Sequence, residues 1–265
     1  MTDLLALTAE LVDIPSVSFD EADLVARLEA ELRAVPGLGV DRIGDNLVAR
    51  TDLGRDHRLI LAGHTDTVPG DTTGSRLDGD TLWGLGAADM KGGLAVMLEL
   101  ARRTTAKPPG LPLRFVAFTL EEPPTHATRY QGSRVFVKRQ VEAGEQMAGA
   151  IILEMVGLTT PKQRYPLFLQ WVGYPDVGNF IGVVGNRASK LLGERVLRGM
   201  RKNSALPVES LFVWFNGWLL PDTRLSDHAP FWDNGFPALM ITDTAYFRNQ
   251  NYHGPNDTAD TLRLL

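Results

Sequence analysis

The sequence has 265 residues, of which 44% are hydrophobic and 22% charged, with a formal net charge of −5 and no cysteine. No run of Lys or Arg exceeds two residues, which together with the negative net charge argues against a nucleic-acid or anionic-membrane partner. The lack of cysteine excludes disulfides, thiolate metal ligands and a cysteine nucleophile. The chain has neither an apolar run of the ~20 residues that span a membrane nor the basic start of a signal peptide, so we expect a cytoplasmic protein.

Apolar segments alternate with amphipathic ones along the chain, which predicts an α/β fold with helices on both faces of a mostly parallel sheet. Several predicted strands are apolar throughout, as in strands covered on both faces. Ser18 and Glu21 are placed to form a capping box at the first helix, and Gly144 to cap the third. In chain order, we predict a helix at 19–35, a strand at 58–64, a helix at 94–103, a strand at 113–122, a helix at 133–144, strands at 149–155 and 180–185, a helix at 188–202, and strands at 211–215 and 237–244.

Polar side chains gather where the predicted strands end. Each of them alone is consistent with a solvated strand end. Together they lie where α/β sheets form binding sites, at the carboxyl ends of the strands, and so they predict a functional site. These residues are His64, Asp66, Asp89, Glu121, Glu122, Glu154, Ser226, Asp227, His228 and His253.

The residue types favour a metal site. Imidazole and carboxylate groups are suitable zinc ligands, and a carboxylate can bridge two metal ions about 3.5–4 Å apart. His64 and Asp66 are two residues apart at a strand end, so their side chains point the same way and Asp66 can accept the second N–H of His64. Glu121 and Glu122 diverge as neighbours, so one can bind metal while the other faces the attacking water.

Two sets of motifs resemble two known families. GHTDTVPG, LWGLGAADMKGGLAVMLELA and LTAELVDIPSVS resemble succinyl-diaminopimelate desuccinylases, over residues 1 to about 105. From about residue 112 onward, RFVAFTLEEPP, GSRVFVKR, GAIILEMVG, RLSDHAPFWDNGFPALMITDTAYFRN and YHGPNDTADTL resemble zinc aminopeptidases of leucine-aminopeptidase type. Both families belong to one clan of di-zinc peptidases and share a fold and an order of ligands. The chain is then either a natural relative between the two or an engineered hybrid, and we favour the hybrid.

The resemblance implies a set of metal ligands. His64, Asp89 and Glu154 would hold one zinc ion, and Asp89, Glu122 and His253 the second, with Asp89 bridging and with cobalt or manganese as possible substitutes. Glu121 would be the general base that acts on the metal-bound water, and Asp66 would orient His64. The peptide bond Asp89–Met90 would be cis. For the substrate, His228 and Tyr246 would line the pocket, with Asp227 and Asp243 supporting them.

The resemblance also implies an architecture. We expect one domain over residues 1–265, a three-layer α/β/α sandwich with a mixed, mostly parallel sheet. Desuccinylases insert a lid and dimerisation domain between the positions of Glu154 and His253, where this chain has aminopeptidase-like sequence, so we expect no lid and a monomer. The stretch PPTHATRYQ is longer than aminopeptidases have there, and its His126 is either an extra metal ligand or a surface residue.

Three functions fit these motifs. The first is an aminopeptidase that uses a metal-bound hydroxide to hydrolyse small peptides with free, apolar N-terminal residues. The others are an N-acyl amino-acid deacylase and a metal-binding scaffold with little or no activity. The second half has no cluster of Arg or Lys near the site to bind the carboxylates of a succinylated substrate, which favours the aminopeptidase. Aromatic residues could form its pocket or simply belong to the core; these are Phe231, Trp232, Tyr246 and Phe247.

Overall fold

One large β-sheet organises the chain in the computed structural model, which describes residues 3–51, 58–70, 74–107, 110–166, 169, 172–249 and 252. The strands are β1 (Leu38–Ile43), β2 (Asn46–Thr51), β3 (Arg58–His64), β4 (Arg76–Asp78), β5 (Thr81–Trp83), β6 (Leu113–Phe118), β7 (Met147–Leu153), β8 (Ile181–Asn186), β9 (Val208–Val213) and β10 (Ala238–Thr242). The helices are α1 (Leu4–Val12), α2 (Ala22–Arg33), α3 (Gly92–Ala106), α4 (Gly132–Glu142), α5 (Lys190–Met200) and α6 (Ala229–Asp233). Short helical turns lie at Ala87–Lys91, Arg187–Ser189, Phe215–Gly217, Pro221–Arg224 and Ala245–Phe247.

The large sheet is mixed. Its eight strands have the order β1-β2-β6-β3-β7-β10-β8-β9, and β4 and β5 form a separate hairpin. The central strands β6, β3, β7 and β10 are parallel to one another, and so are β8 and β9, whereas β1, β2 and β8 run antiparallel to a neighbour. The carboxyl ends of the four central strands therefore meet at one edge, and this fold confirms the expected mixed, mostly parallel sheet.

Helices cover both faces of the sheet. On one face, α1, α2 and α3 pack over β2, β3 and β6, and α5 packs over β8, β9 and β10. On the other face, α4 and α6 pack on the central strands, where the rings of Phe118, Phe136 and Phe231 meet with centroids 5.5–6.4 Å apart. These three layers are the predicted α/β/α sandwich.

The described residues between Glu154 and Tyr252 belong to this same sandwich. They supply β8, α5, β9, α6 and β10, which pair with or pack on the main sheet. Within this described part of the segment there is no separate lid, as expected. No helix among the described residues has both the length and the apolar character needed to cross a membrane.

The β1–β2 hairpin was not predicted. Its turn is the dipeptide Gly44–Asp45 between the paired residues Ile43 and Asn46, and Gly44 has a φ of +64°. A Gly-Asp pair between two apolar segments is a recognised hairpin signal, because glycine adopts positive φ without steric cost. The sequence therefore contained the information for this hairpin.

The two predicted helix caps have different outcomes. Gly144 lies just beyond α4 with a φ of +68° and donates its N–H to the carbonyl of Val141, as a C-terminal glycine should. The capping box at Ser18 and Glu21 is wrong, since α2 starts at Ala22 without a side-chain cap. Both side chains instead bind residues near the ends of β3 and β6.

The start of α4 packs tightly against the end of β6. Gly132 donates its N–H to the carbonyl of Thr119, and the Asn46 side chain bonds both residues, donating to the Gly132 carbonyl and accepting from the Thr119 N–H. A Cβ atom at Gly132 would clash with Asn46 and with the Thr119 backbone. We expect Gly132→Ala to lower the free energy of unfolding by about 1–3 kcal/mol, measured by urea denaturation.

A matched control is Gly199→Ala, since a Cβ there meets no atom within 4 Å. This change in an exposed helical position should raise the stability by roughly 0.5–1 kcal/mol. Equal effects of the two substitutions would contradict the packing described for Gly132.

Candidate metal centre

Asp66 is the point at which three distant segments of the chain meet. It follows β3, and its side chain is fully buried. Its carboxylate accepts hydrogen bonds from the backbone N–H groups of Glu121 and Glu122, both at 2.9 Å, and from the Ser18 hydroxyl at 2.8 Å. Burial acts to raise the pKa of Asp66, but its hydrogen bonds with His64, Glu122 and Glu121 hold that pKa below its usual value. The ionised Asp66 thus fixes the Glu121–Glu122 pair beside the end of β3.

His64 ends β3, and its buried imidazole points one nitrogen at Asp66 and the other at the carboxylates. Nδ1 lies 2.9 Å from the backbone carbonyl oxygen of Asp66 and 3.4 Å from its carboxylate, so Asp66 orients the ring mainly through its carbonyl group. Nε2 lies 3.0 Å from Asp89 and 3.9 Å from Glu154. Burial lowers the pKa of His64, but the bonds to Asp66 and Asp89 raise it well above its usual value. An imidazole held in this way has the orientation of a metal ligand.

Four carboxylates converge on His64. Two groups of possible ligand atoms share His64. In one, a ring nitrogen of His64 and carboxylate oxygens of Asp89 and Glu122 all lie within 4.8 Å of one another. In the other, the same holds for His64, Glu121 and Glu154. Asp89 is placed by the helical turn that precedes α3, and Glu154 directly follows β7. The structure therefore brings together the predicted residues from four separate segments.

Two local features lie beside these side chains. The Asp89–Met90 peptide bond is cis, as the resemblance implies. The hydroxyl of Ser226 donates to Oε2 of Glu154 at 2.7 Å and so fixes that carboxylate. The predicted ligand His253 lies outside the described residues.

The donor set fits a divalent cation. Burial, followed by repulsion from Glu121 and Asp89, raises the pKa of Glu154 well above its usual value. Burial also raises the pKa of Glu121. A cation among these groups would offset both their lost hydration and their mutual repulsion. Imidazole nitrogen and carboxylate oxygen are the ligands of zinc sites that lack thiolates.

His126 contacts Glu121. Among the described residues it belongs to neither group of candidate metal ligands around His64, and it is not a fully exposed surface residue either. Its Nδ1 lies 3.1 Å from Oε1 of Glu121, and its side chain is 23% exposed. The backbone N–H of His126 donates to the Glu122 carbonyl, and the Thr125 hydroxyl donates to the same carbonyl. The inserted segment thus forms a turn that places an imidazole against Glu121.

An apolar cleft opens beside Glu154. Tyr246 and Phe247, two of the four aromatic residues considered for a pocket, line this cleft. Burial and a hydrogen bond to Asp222 raise the pKa of Tyr246, so its hydroxyl is engaged with that carboxylate. Phe231 and Trp232 are fully buried in the core and do not line the cleft.

Three residues predicted around the substrate pocket are buried away from the cleft lining: His228, which was expected to line it, and Asp227 and Asp243, which were expected to support it. His228 packs against the Trp232 ring, and its Nε2 lies 2.7 Å from the carbonyl oxygen of Thr223. Asp243 accepts the backbone N–H groups of Leu158 and Ala245, which ties β10 to the loop after β7. These contacts are structural, and they do not favour direct binding of substrate.

Asp227 lies behind the candidate metal centre. Its Oδ1 accepts a hydrogen bond from Gln131 at 3.0 Å, and among the described residues its buried Oδ2 has no hydrogen-bond partner. Burial raises the pKa of Asp227 to about 6. Its charge in turn contributes to the raised pKa of Glu121.

Two residues of the site, Ser18 and Tyr252, were missed as functional candidates, and Ser226 was noted at a strand end without a role. Ser18 and Ser226 hold Asp66 and Glu154, and both occur in motifs that were recognised, so their hydroxyl groups were the available signal. Tyr252 lines the cleft, and burial followed by the charges of Asp89 and other carboxylates raises its pKa. Its hydroxyl therefore lies close to the metal-binding groups, and its only sequence signal was its position next to His253.

Comparisons with known proteins agree with this geometry. A model of peptidase family M28 matches residues 46–264. The uncharacterized protein YfbL of Escherichia coli is 35% identical over 209 residues, which cover 77% of this chain and 61% of YfbL. A putative succinyl-diaminopimelate desuccinylase of Mycobacterium tuberculosis is 47% identical over 122 residues, or 45% of this chain and 34% of that protein.

A solved structure shares the fold. The LapA aminopeptidase of Legionella pneumophila superposes with a TM-score of 0.68 at 16% identity, over 99% of this chain and 66% of LapA. The chain thus spans less than two thirds of each of these proteins. The family model runs through residues 105–112 without a break, so the idea that the chain changes family there, and that it is a hybrid, receives no support.

The buried His228 generates a prediction about pH. Burial lowers the pKa of His228 to about 4, whereas an unfolded histidine titrates near pH 6.5. Below pH 6.5 the unfolded chain therefore binds a proton that the folded chain does not, and stability falls by about 3 kcal/mol as the pH approaches 4. NMR titration of the imidazole signals, with His228→Gln for assignment, should find this ring neutral at pH 5. A midpoint near 6.5 would show that the ring is not buried as described.

Proposed function

The chain belongs to peptidase family M28, and we propose that it is a zinc-dependent aminopeptidase that removes N-terminal residues from small peptides. The observation that carries this proposal is the buried group of His64 and four carboxylates beside an apolar cleft that begins at Glu154. Such a cleft can take the side chain of an N-terminal residue whose peptide bond lies at the metal centre.

The metal would be held by side chains that the fold already brings together. His64, Asp89, Glu122 and Glu154 supply one nitrogen and several oxygen ligands, and His253 would complete the set for up to two ions. Bound zinc supplies a Lewis acid and lowers the pKa of a water molecule.

Glu121 is the proposed general base. Its carboxylate lies in the same group of atoms as His64 and Glu154, so it can accept the proton of the attacking water and pass it to the leaving amine. Asp66 fixes the backbone of Glu121, and His126 fixes its Oε1. Two contacts from different segments thus hold the base in one position.

The cleft favours a peptide substrate over a succinylated one. Among the described residues that line it there is no Arg or Lys to pair with the carboxylates of succinyl-diaminopimelate. It contains aromatic rings and the carboxylates of Asp222 and Glu209 instead. The carboxylates around His64 can hold a free α-ammonium group, while the cleft takes the side chain of the same residue.

Zinc should stabilise the protein, because a ligand that binds the native state alone shifts the folding equilibrium. After chelator treatment, we expect added zinc to raise the melting temperature by several degrees, measured by calorimetry. Asp89→Ala should abolish this shift, and Asp80→Ala, an exposed residue in the β4–β5 turn, should preserve it. A protein that binds no zinc and shows no shift would refute the metal assignment.

The activity itself is tested with leucine p-nitroanilide and with N-succinyl-diaminopimelate. We expect turnover of the first alone. Glu121→Gln should retain zinc and lower kcat by about 10²–10⁴-fold, while Glu142→Gln on the exposed side of α4 should match the unmodified protein. Turnover of the succinyl substrate alone would instead identify a deacylase, and zinc binding without turnover of either would identify an inactive scaffold.

A further inference from the structure

The cleft follows a row of residues across four neighbouring strands. Glu154 directly follows Leu153, the register partner of Ile241, and is next to Thr242 at the end of β10. Thr242 pairs with Gly182 in β8, and Gly182 pairs with Glu209 in β9. Paired residues project from the same face of a sheet. The candidate metal ligand Glu154 and Glu209 thus stand at opposite ends of one row.

The next row on the same face forms an apolar floor. Met240 pairs with Val184, and Val184 pairs with Leu211. All three residues line the cleft. This floor lies beside the row that joins Glu154 to Glu209.

The row has an open centre. Three strand spacings separate Glu154 from Glu209, which is about 14 Å. Between them Gly182 has no side chain, and Glu154, Gly182, Thr242 and Glu209 all line the cleft. The cleft is therefore a channel from the metal centre to the carboxylate of Glu209, long enough for an extended side chain.

Glu209 is half-buried at the far end of this channel. In the part of the chain that the structure describes, its carboxylate forms no ion pair or hydrogen bond. The nearby Tyr174 hydroxyl donates to the Ser210 carbonyl, and the Tyr165 hydroxyl donates to the Pro175 carbonyl. Burial, then the charge of Glu209, raises the pKa of Tyr174, which places the carboxylate close to that ring.

We propose that Glu209 selects substrates whose N-terminal residue is lysine or arginine. This inference rests on the proposed aminopeptidase function and refines the expectation of an apolar residue. The apolar floor would pack against the methylene groups of the side chain, and Glu209 would pair with the cationic end. A leucine side chain would contact the floor but leave the carboxylate without a partner.

The kinetic test compares lysine, arginine and leucine p-nitroanilides. Lysine and arginine should have the higher kcat/KM. Glu209→Gln, which removes the charge and keeps the shape, should lower their kcat/KM by roughly 10–100-fold and change that of leucine by less than about twofold. Glu194→Gln is the control, since Glu194 is exposed on α5, on the opposite face of the sheet. A preference for leucine, or an equal loss for all three substrates, would overturn the proposal.

A binding test separates this proposal from the proposed function. Lysinol and leucinol share the α-ammonium group of the substrates and have no amide bond to hydrolyse. In calorimetric titrations, lysinol should bind roughly 10–100-fold more tightly than leucinol to the unmodified protein, and Glu209→Gln should remove the difference. This result without any turnover would leave the role of Glu209 standing and refute only the peptidase. Equal binding of the two alcohols would overturn the role of Glu209 even if leucine p-nitroanilide were hydrolysed.

Discussion

The structure depends on one buried carboxylate, that of Asp66. It accepts hydrogen bonds from the Ser18 hydroxyl and from the backbone of Glu121 and Glu122, while the carbonyl of the same residue orients His64. A buried ionised group without partners would cost several kcal/mol, so these contacts form as a set. They join the loop before α2 to the ends of β3 and β6, and they place an imidazole and two carboxylates around one point.

The charge of the site follows from this arrangement. Glu121 and Glu154 are buried near one another, and both have raised pKa values because burial and neighbouring carboxylates disfavour their charged forms. Such a cluster is unfavourable for stability by itself. A divalent cation turns the same repulsion into coordination, so the site is organised for a ligand.

Strand direction decides how the site extends beyond the metal centre. The four central strands end at the site edge, but β8 and β9 run the other way and begin there. Gly182 and Glu209 are therefore the second residues of their strands, whereas Glu154, which lies in the same row, directly follows the end of β7. The candidate catalytic and specificity residues thus occupy one edge of a sheet, and the two ends of the row belong to segments more than fifty positions apart in the chain.

The sequence by itself determined the strand–helix alternation, most of the candidate metal ligands and the C-terminal cap at Gly144. These features depend on local periodicity, residue chemistry or short motifs, which a single chain displays directly. Only the tertiary structure decided which polar residues face the site: Ser18 bonds Asp66 and does not cap α2, and His228, which was expected to line the pocket, is buried away from the cleft. It also placed Phe231 and Trp232 in the core and Glu209 in the cleft. The physical reason is that burial and strand register arise from contacts between residues far apart in sequence, and no local pattern specifies them.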